Sequence, residues 1–138
     1  MTPTASPVDA IVDTSALIAI LLRESDAADY LQSLTQISRW GMAAPNRTEL
    51  LMVAAARMGS EGMVFARALL NRYQIQTLLL DEALADAAAT AFERYGKGRH
   101  PASLNFGDCF AYALAHHYHV PLLYKGDDFA RTDIACVK

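Results

Sequence analysis

The chain has 138 residues, 53% of them hydrophobic, with 15 acidic against 12 basic side chains and a net charge of −3. That is material for one domain with a real apolar core, and it excludes nucleic-acid binding by general basic charge while leaving local basic patches open. Cys109 and Cys136 lack CxxC spacing and read as buried thiols of a reducing cytoplasm, and the apolar stretch Ala16 to Leu22 is too short to span a bilayer.

Met1 to Pro7 carries Thr, Ser and Pro without a basic residue, so it reads as a loose leader ahead of a domain over 8–138. A strand is expected at Asp9 to Val12, with Asp13 or Thr14 capping a helix that runs to Leu22. Ser25-Asp26 opens a helix through Leu34, and Trp40 to Ala44 reads as a second strand in which Trp40 packs inward. Pro45-Asn46 starts a helix to Met58, Gly59 ends it, and Ser60 caps the next one through Tyr73. Ile75 to Leu80 is a third strand. Asp81 then starts an Ala-rich helix to Tyr95, and Lys97 to Pro101 is a loop. Helix Phe106 to Tyr118, strand Leu122 to Tyr124, a turn near Phe129 and a last strand at Ile134 to Val137 complete the chain. Strands alternating with helices predict an α/β/α sandwich around a mostly parallel sheet of about five strands.

Acidic residues stand where strands hand over to helices: Asp13, Glu49, Asp108 and the pair Asp127-Asp128. Each alone has a plain explanation. Asp13 fits an N-cap, Glu49 lies three residues after Asn46 as in a capping box, Asp108 lies three after Asn105 near a positive helix end, and Asp127 and Asp128 fit a turn after Gly126. Together they mean more. Ligand sites in parallel α/β sheets form outside the carboxyl ends of the strands, so these acids are expected at one edge. The spacings of 36, 59 and 20 residues between Asp13, Glu49, Asp108 and Asp128 leave room for a crossover between each. Gathered carboxylates repel, and a divalent cation relieves them.

Ile11-Val12-Asp13-Thr14-Ser15-Ala16-Leu17, Glu49, Leu104-Asn105-Phe106-Gly107-Asp108-Cys109 and Lys125-Gly126-Asp127-Asp128-Phe129 with Thr132-Asp133 resemble the PIN-domain ribonucleases. Within them the match is to the VapC toxins of toxin–antitoxin pairs, over nearly the whole chain. The resemblance implies a PIN-like fold, with Asp13, Glu49 and Asp108 as the core acids. Asp128 is favoured as the fourth over Asp127, because the segment resembles a Gly-x-Asp-Phe pattern. Thr14 or Ser15 matches a hydroxyl that orients ligands or holds water. The resemblance further implies RNA of the tRNA or rRNA class as substrate, a VapB-like antitoxin that blocks the site, and a homodimer.

All-oxygen ligation suits Mg²⁺, with Mn²⁺ able to substitute, and argues against structural zinc. Asp13 and Asp108 are the expected direct ligands, with Glu49 and Asp128 completing the shell or helping to activate water. Arg94, Lys97, Arg99 and His100 precede the Asp108 helix, and Lys125 and Arg131 flank the fourth acid; these are the candidate RNA contacts. His116, His117 and His119 suit a helix C-terminus, and Met52, Met58 and Met63 read as core filler. A receiver-type signalling module is the rival reading, with Lys125 and Asp81 as its late Lys and phosphoacceptor, but Asp13 has no acidic pair beside it. A haloacid-dehalogenase-like phosphatase needs Asp-x-Asp, which Asp13-Thr14-Ser15 denies. A catalytically silent binding module is the third reading, and the intact acid set counts against it.

Overall fold

A computed structural model describes residues 6–137. Its elements are β1 (Ala10–Val12), α1 (Thr14–Leu21), α2 (Ala27–Gln36), β2 (Trp40–Ala43), α3 (Ala44–Met58), α4 (Gly62–Arg72), β3 (Gln76–Leu78), α5 (Glu82–Tyr95), α6 (Phe106–Tyr118) and β4 (Leu122–Leu123), with short 3₁₀ turns at Gly59–Glu61 and Phe129–Arg131. The expected leader lies outside the described residues through Ala5. Ser6 is already tied down, because its carbonyl accepts from Arg39.

The strands pair in parallel in the order β3-β2-β1-β4. Side chains alternate across each strand, so the sheet divides the apolar residues between two layers. Ala10, Val12, Trp40 and Met42 pack under α1 to α4 with Leu17, Leu34, Leu50 and Leu70. Ile11, Ala43, Leu78 and Leu122 face α5 and α6 with Leu84, Ala88, Tyr95 and Leu114. The sandwich is as expected, but the sheet has four strands rather than five. Ile134 to Val137 makes no regular strand: Cys136 forms one isolated bridge to Leu122.

Two side chains depart from expectation, Cys136 and Met52. Trp40 is packed as expected, its Nε1 donating to the Leu34 carbonyl over 3.0 Å. Cys109 is buried but Cys136 is exposed. Met52 is 63% exposed and fills no core. It sits one turn beyond Thr48 on the solvent face of α3, where apolar periodicity has no hold. His116 and His117 are exposed in the last turn of α6, as a helix C-terminus favours. No helix among the described residues is long and apolar enough to cross a membrane.

Strand order fixes where a site can form. From β1 the chain moves outward through β2 to β3, and it returns by α5 and α6 to place β4 on the other side of β1. β1 and β4 are therefore neighbours whose connections diverge. The crevice outside their carboxyl ends is the switch point where α/β sheets bind ligands.

Candidate active site

Asp13 directly follows β1 and caps α1: its Oδ2 accepts from the Ser15 backbone N–H over 3.0 Å. The Asp13 N–H in turn donates to the Leu123 carbonyl at the end of β4 over 2.8 Å, so the two strand ends are locked in register. Asp13 is only 3% exposed. Burial pushes its carboxyl above the ordinary range, the charge of Glu49 adds to the effect, and the bond from Ser15 opposes it. The expected cap is present, and it is made by a buried acid.

Asp108 occupies the first turn of α6 and completes a capping box with Asn105. The Asp108 N–H donates to Asn105 Oδ1 over 2.9 Å, and Asp108 Oδ2 accepts from the Asn105 N–H over 3.0 Å. Desolvation pushes its carboxyl up to about 7, aided by the charges of Asp13, Asp128 and Glu49 and opposed by the Asn105 hydrogen bond. Charges from three other segments therefore bear on this one carboxyl. This convergence, expected from the strand ends, is the central feature of the site.

Glu49 extends from α3 to the beginning of α6. A Cβ built on Gly107 would lie 2.7 Å from Glu49 Oε2 and 2.9 Å from Oε1, so the carboxylate rests against the bare backbone of Gly107. Only glycine leaves that space, and the helix N-terminus favours the negative charge there. Glu49 does not act in a capping box with Asn46, because α3 begins at Ala44 with Pro45 in its first turn. Asp128 and Asp127 are exposed and lie after Gly126, whose φ of +102° makes the turn out of β4. Of the two, it is Asp128 whose charge acts on Asp108.

The residue that sequence reasoning missed is Asn46. It is fully buried, its Nδ2 donates to the Gly107 carbonyl over 2.9 Å, and its own carbonyl accepts from the Thr14 hydroxyl over 3.2 Å. One residue thus links the segments of Asp13, Glu49 and Asp108. Its Oδ1 is buried without a protein partner. Thr14 serves this link, whereas Ser15 uses its N–H on Asp13 and its hydroxyl on the Lys125 N–H, at 2.9 Å.

The basic candidates separate into two groups. Lys97 and Arg99 are exposed, Arg99 lying over the Phe92 ring at 5.6 Å. Their loop is tied to the flank of the fourth acid by Arg131, which donates to the Pro101 carbonyl over 3.2 Å. His100 holds that loop from inside, its Nδ1 accepting from the Ala102 N–H and its ring against Tyr95. Arg94 instead covers the Tyr95 ring at 4.7 Å and pairs with Asp133 at 3.7 Å. Lys125 is occupied by Glu24 and Asp26.

Among the described residues, no three Asp, Glu, His or Cys side chains converge tightly enough to enclose a metal ion unaided. The donor chemistry nevertheless suits a hard cation, since the candidate donors are carboxylates rather than His or Cys, and Asn46 Oδ1 is buried without a protein partner. Asp13 and Asp108 could hold such an ion directly, and Glu49 and Asp128 could reach it through water.

A family model described as the PIN domain matches residues 10–135. Ribonuclease VapC of Mycolicibacterium smegmatis is 42% identical over 127 residues, spanning 92% of this chain and 98% of the relative. Ribonuclease VapC30 of Mycobacterium tuberculosis is 41% identical, with 92% and 97% spanned. Among solved structures, the sarcin-ricin-loop-cleaving toxin VapC20 of Mycobacterium tuberculosis superposes with a TM-score of 0.77 at 14% identity, covering 91% of this chain and 96% of that one. DNA-bound VapBC from Salmonella typhimurium gives 0.66 at 13% identity, covering 95% and 97%. At such identities the structures speak for the fold.

Proposed function

The chain belongs to the PIN-domain family, among its VapC ribonucleases, and on that premise we propose that it is a Mg²⁺-dependent endoribonuclease, the toxin of a VapBC-type pair. The observation that carries this reading is geometric: Asp13 at the end of β1 is bonded to the end of β4, and Glu49 rests on Gly107 beside Asp108, at the switch point of the sheet.

Bound divalent metal would supply a water of lowered pKa and charge to offset the phosphate oxygens. The chain's own residues do the rest. Ser15 and the end of β4 hold Asp13 rigid, the Asn105 box fixes Asp108, and Asn46 sets α3 against α6. Deprotonated, Asp108 would offer its carboxylate to the ion together with Asp13. Glu49, resting on Gly107, is our candidate to help activate the attacking water. Exposed Lys97 and Arg99 meet the phosphates of the RNA, structured RNA of the tRNA or rRNA class.

Family membership also supports a VapB-like antitoxin that covers the acids. Met52, Val64 and Phe65, 63%, 60% and 48% exposed on α3 and α4, offer apolar surface for it or for a homodimer. Incubating purified, antitoxin-free protein with structured RNA, with and without Mg²⁺, tests the reading: cleavage only with the ion supports it, and intact RNA under both conditions refutes it.

A further inference from the structure

Lys125 opens the loop that carries the fourth acid, and three contacts fix it. Its N–H donates to the Ser15 hydroxyl over 2.9 Å, and its Nζ lies 3.1 Å from Asp26 Oδ1 and 3.3 Å from Glu24 Oε1. The other Asp26 oxygen accepts from the Tyr30 hydroxyl over 3.1 Å, so that carboxylate is held from both sides. Glu24 and Asp26 belong to the connection between α1 and α2, and the pair spans 99 residues of chain.

Beyond Lys125 the next anchor is Phe129, buried against Tyr124 with ring centroids 5.1 Å apart. Between the anchors lie Gly126, Asp127 and Asp128, all exposed. Among the described residues no side chain holds the carboxylate of either acid. Where Asp128 stands therefore depends on the two ends of its own loop. One end is a buried ring. The other is an ammonium paired with two carboxylates, a cluster of net negative charge that offers a phosphate no spare cation.

We propose that Lys125 is a positioning residue: gripped by Glu24 and Asp26, it holds the Gly126 to Asp128 loop so that Asp128 stays at the sheet edge shared by Asp13 and Asp108. Its consequence for catalysis rests on the ribonuclease reading above. It differs in kind from an RNA contact, which would need the same ammonium free.

Steady-state RNA cleavage by Lys125→Met, Lys125→Arg, the paired Glu24→Gln/Asp26→Asn variant and their combination with Lys125→Met separates the two roles. Positioning predicts that Lys125→Met and the acid pair each lower kcat about tenfold to a hundredfold, as displacements near 1 Å do. KM should stay within about twofold. The combined variant should be no worse than either, since one interaction cannot be lost twice. Lys125→Arg should keep most of the parent kcat. The proposal is overturned if Lys125→Met raises KM and flattens its salt dependence at unchanged kcat, while neutralising Glu24 and Asp26 lowers KM. Those changes mark a phosphate contact.

Hydrogen exchange reads the same latch without activity. The amides of Lys125 and Arg131, which donate to Ser15 Oγ and the Asp128 carbonyl, should exchange faster in Lys125→Met while β1 and β2 keep their protection. Unchanged exchange at both amides overturns the latch. A parent that cuts no RNA refutes the ribonuclease reading instead, and exchange then decides the latch alone.

Discussion

The Asn46 side-chain amide donates to the Gly107 carbonyl over 2.9 Å, joining the first turn of α3 to the first turn of α6. The two helices carry Glu49 and Asp108, so this bond sets how far apart two of the acids stand. Replacing Asn46 by Ala removes the side-chain donor to the Gly107 carbonyl and the bond between the two helices. The cost should be about 0.5–1.5 kcal/mol of stability, and RNA cleavage should fall with it. Denaturant unfolding beside single-turnover rates checks both. A variant as stable and as active as the parent would show that the bond does nothing.

Gly107→Ala should separate stability from activity. Alanine improves a helix by about 1 kcal/mol over glycine, but its methyl would stand 2.7 Å from Glu49 Oε2 and push the carboxylate away. The melting temperature should hold or rise while cleavage drops about tenfold or more. Equal cleavage rates would show that Glu49 is not needed where it rests.

Stability should depend on pH through Asp108, whose folded carboxyl titrates at about 7. An unfolded Asp titrates near 3.9, so in the window between them the folded chain holds a proton that the unfolded chain has released. Its contribution is present at low pH and is lost as pH rises through 7. Metal-free protein should therefore gain stability between pH 7.5 and 5.5, and Asp108→Asn should gain less. A cation competes with the same proton, so Mn²⁺ affinity measured calorimetrically should climb as pH rises through 7. Identical pH profiles for parent and variant would contradict the assignment.

Much of the fold was legible because it is written in local patterns. Asp13 and Asp81 cap helices where expected, and the switches from strand to helix period place the acids at one sheet edge. Asn46 escaped because capping was read from local spacing, while its bonds reach residues 32 and 61 positions away. A signal was present: Asn46, Leu50 and Ala54 form one buried stripe of α3, and an Asn on an apolar stripe needs a partner. Arg94 and Lys125 read as RNA contacts from their charge and from their place in the chain beside the Asp108 helix and the fourth acid. Their carboxylate partners, Glu24, Asp26 and Asp133, lie too far along the chain for spacing to announce. The last segment looked like a strand by composition, but only the bridge from Leu122 to Cys136 forms.

The central claim is that Asp13 and Asp108 work together in metal-dependent RNA cleavage, and charge-neutralising variants test it most directly. In Asp13→Asn and Asp108→Asn the amide keeps the shape and can keep the caps, while like-charge repulsion falls. Stability should stay within about 1–2 kcal/mol of the parent or rise. Cleavage of structured RNA with Mg²⁺ should be abolished in both folded variants. If either one cuts RNA at the parent's rate, the active site lies elsewhere.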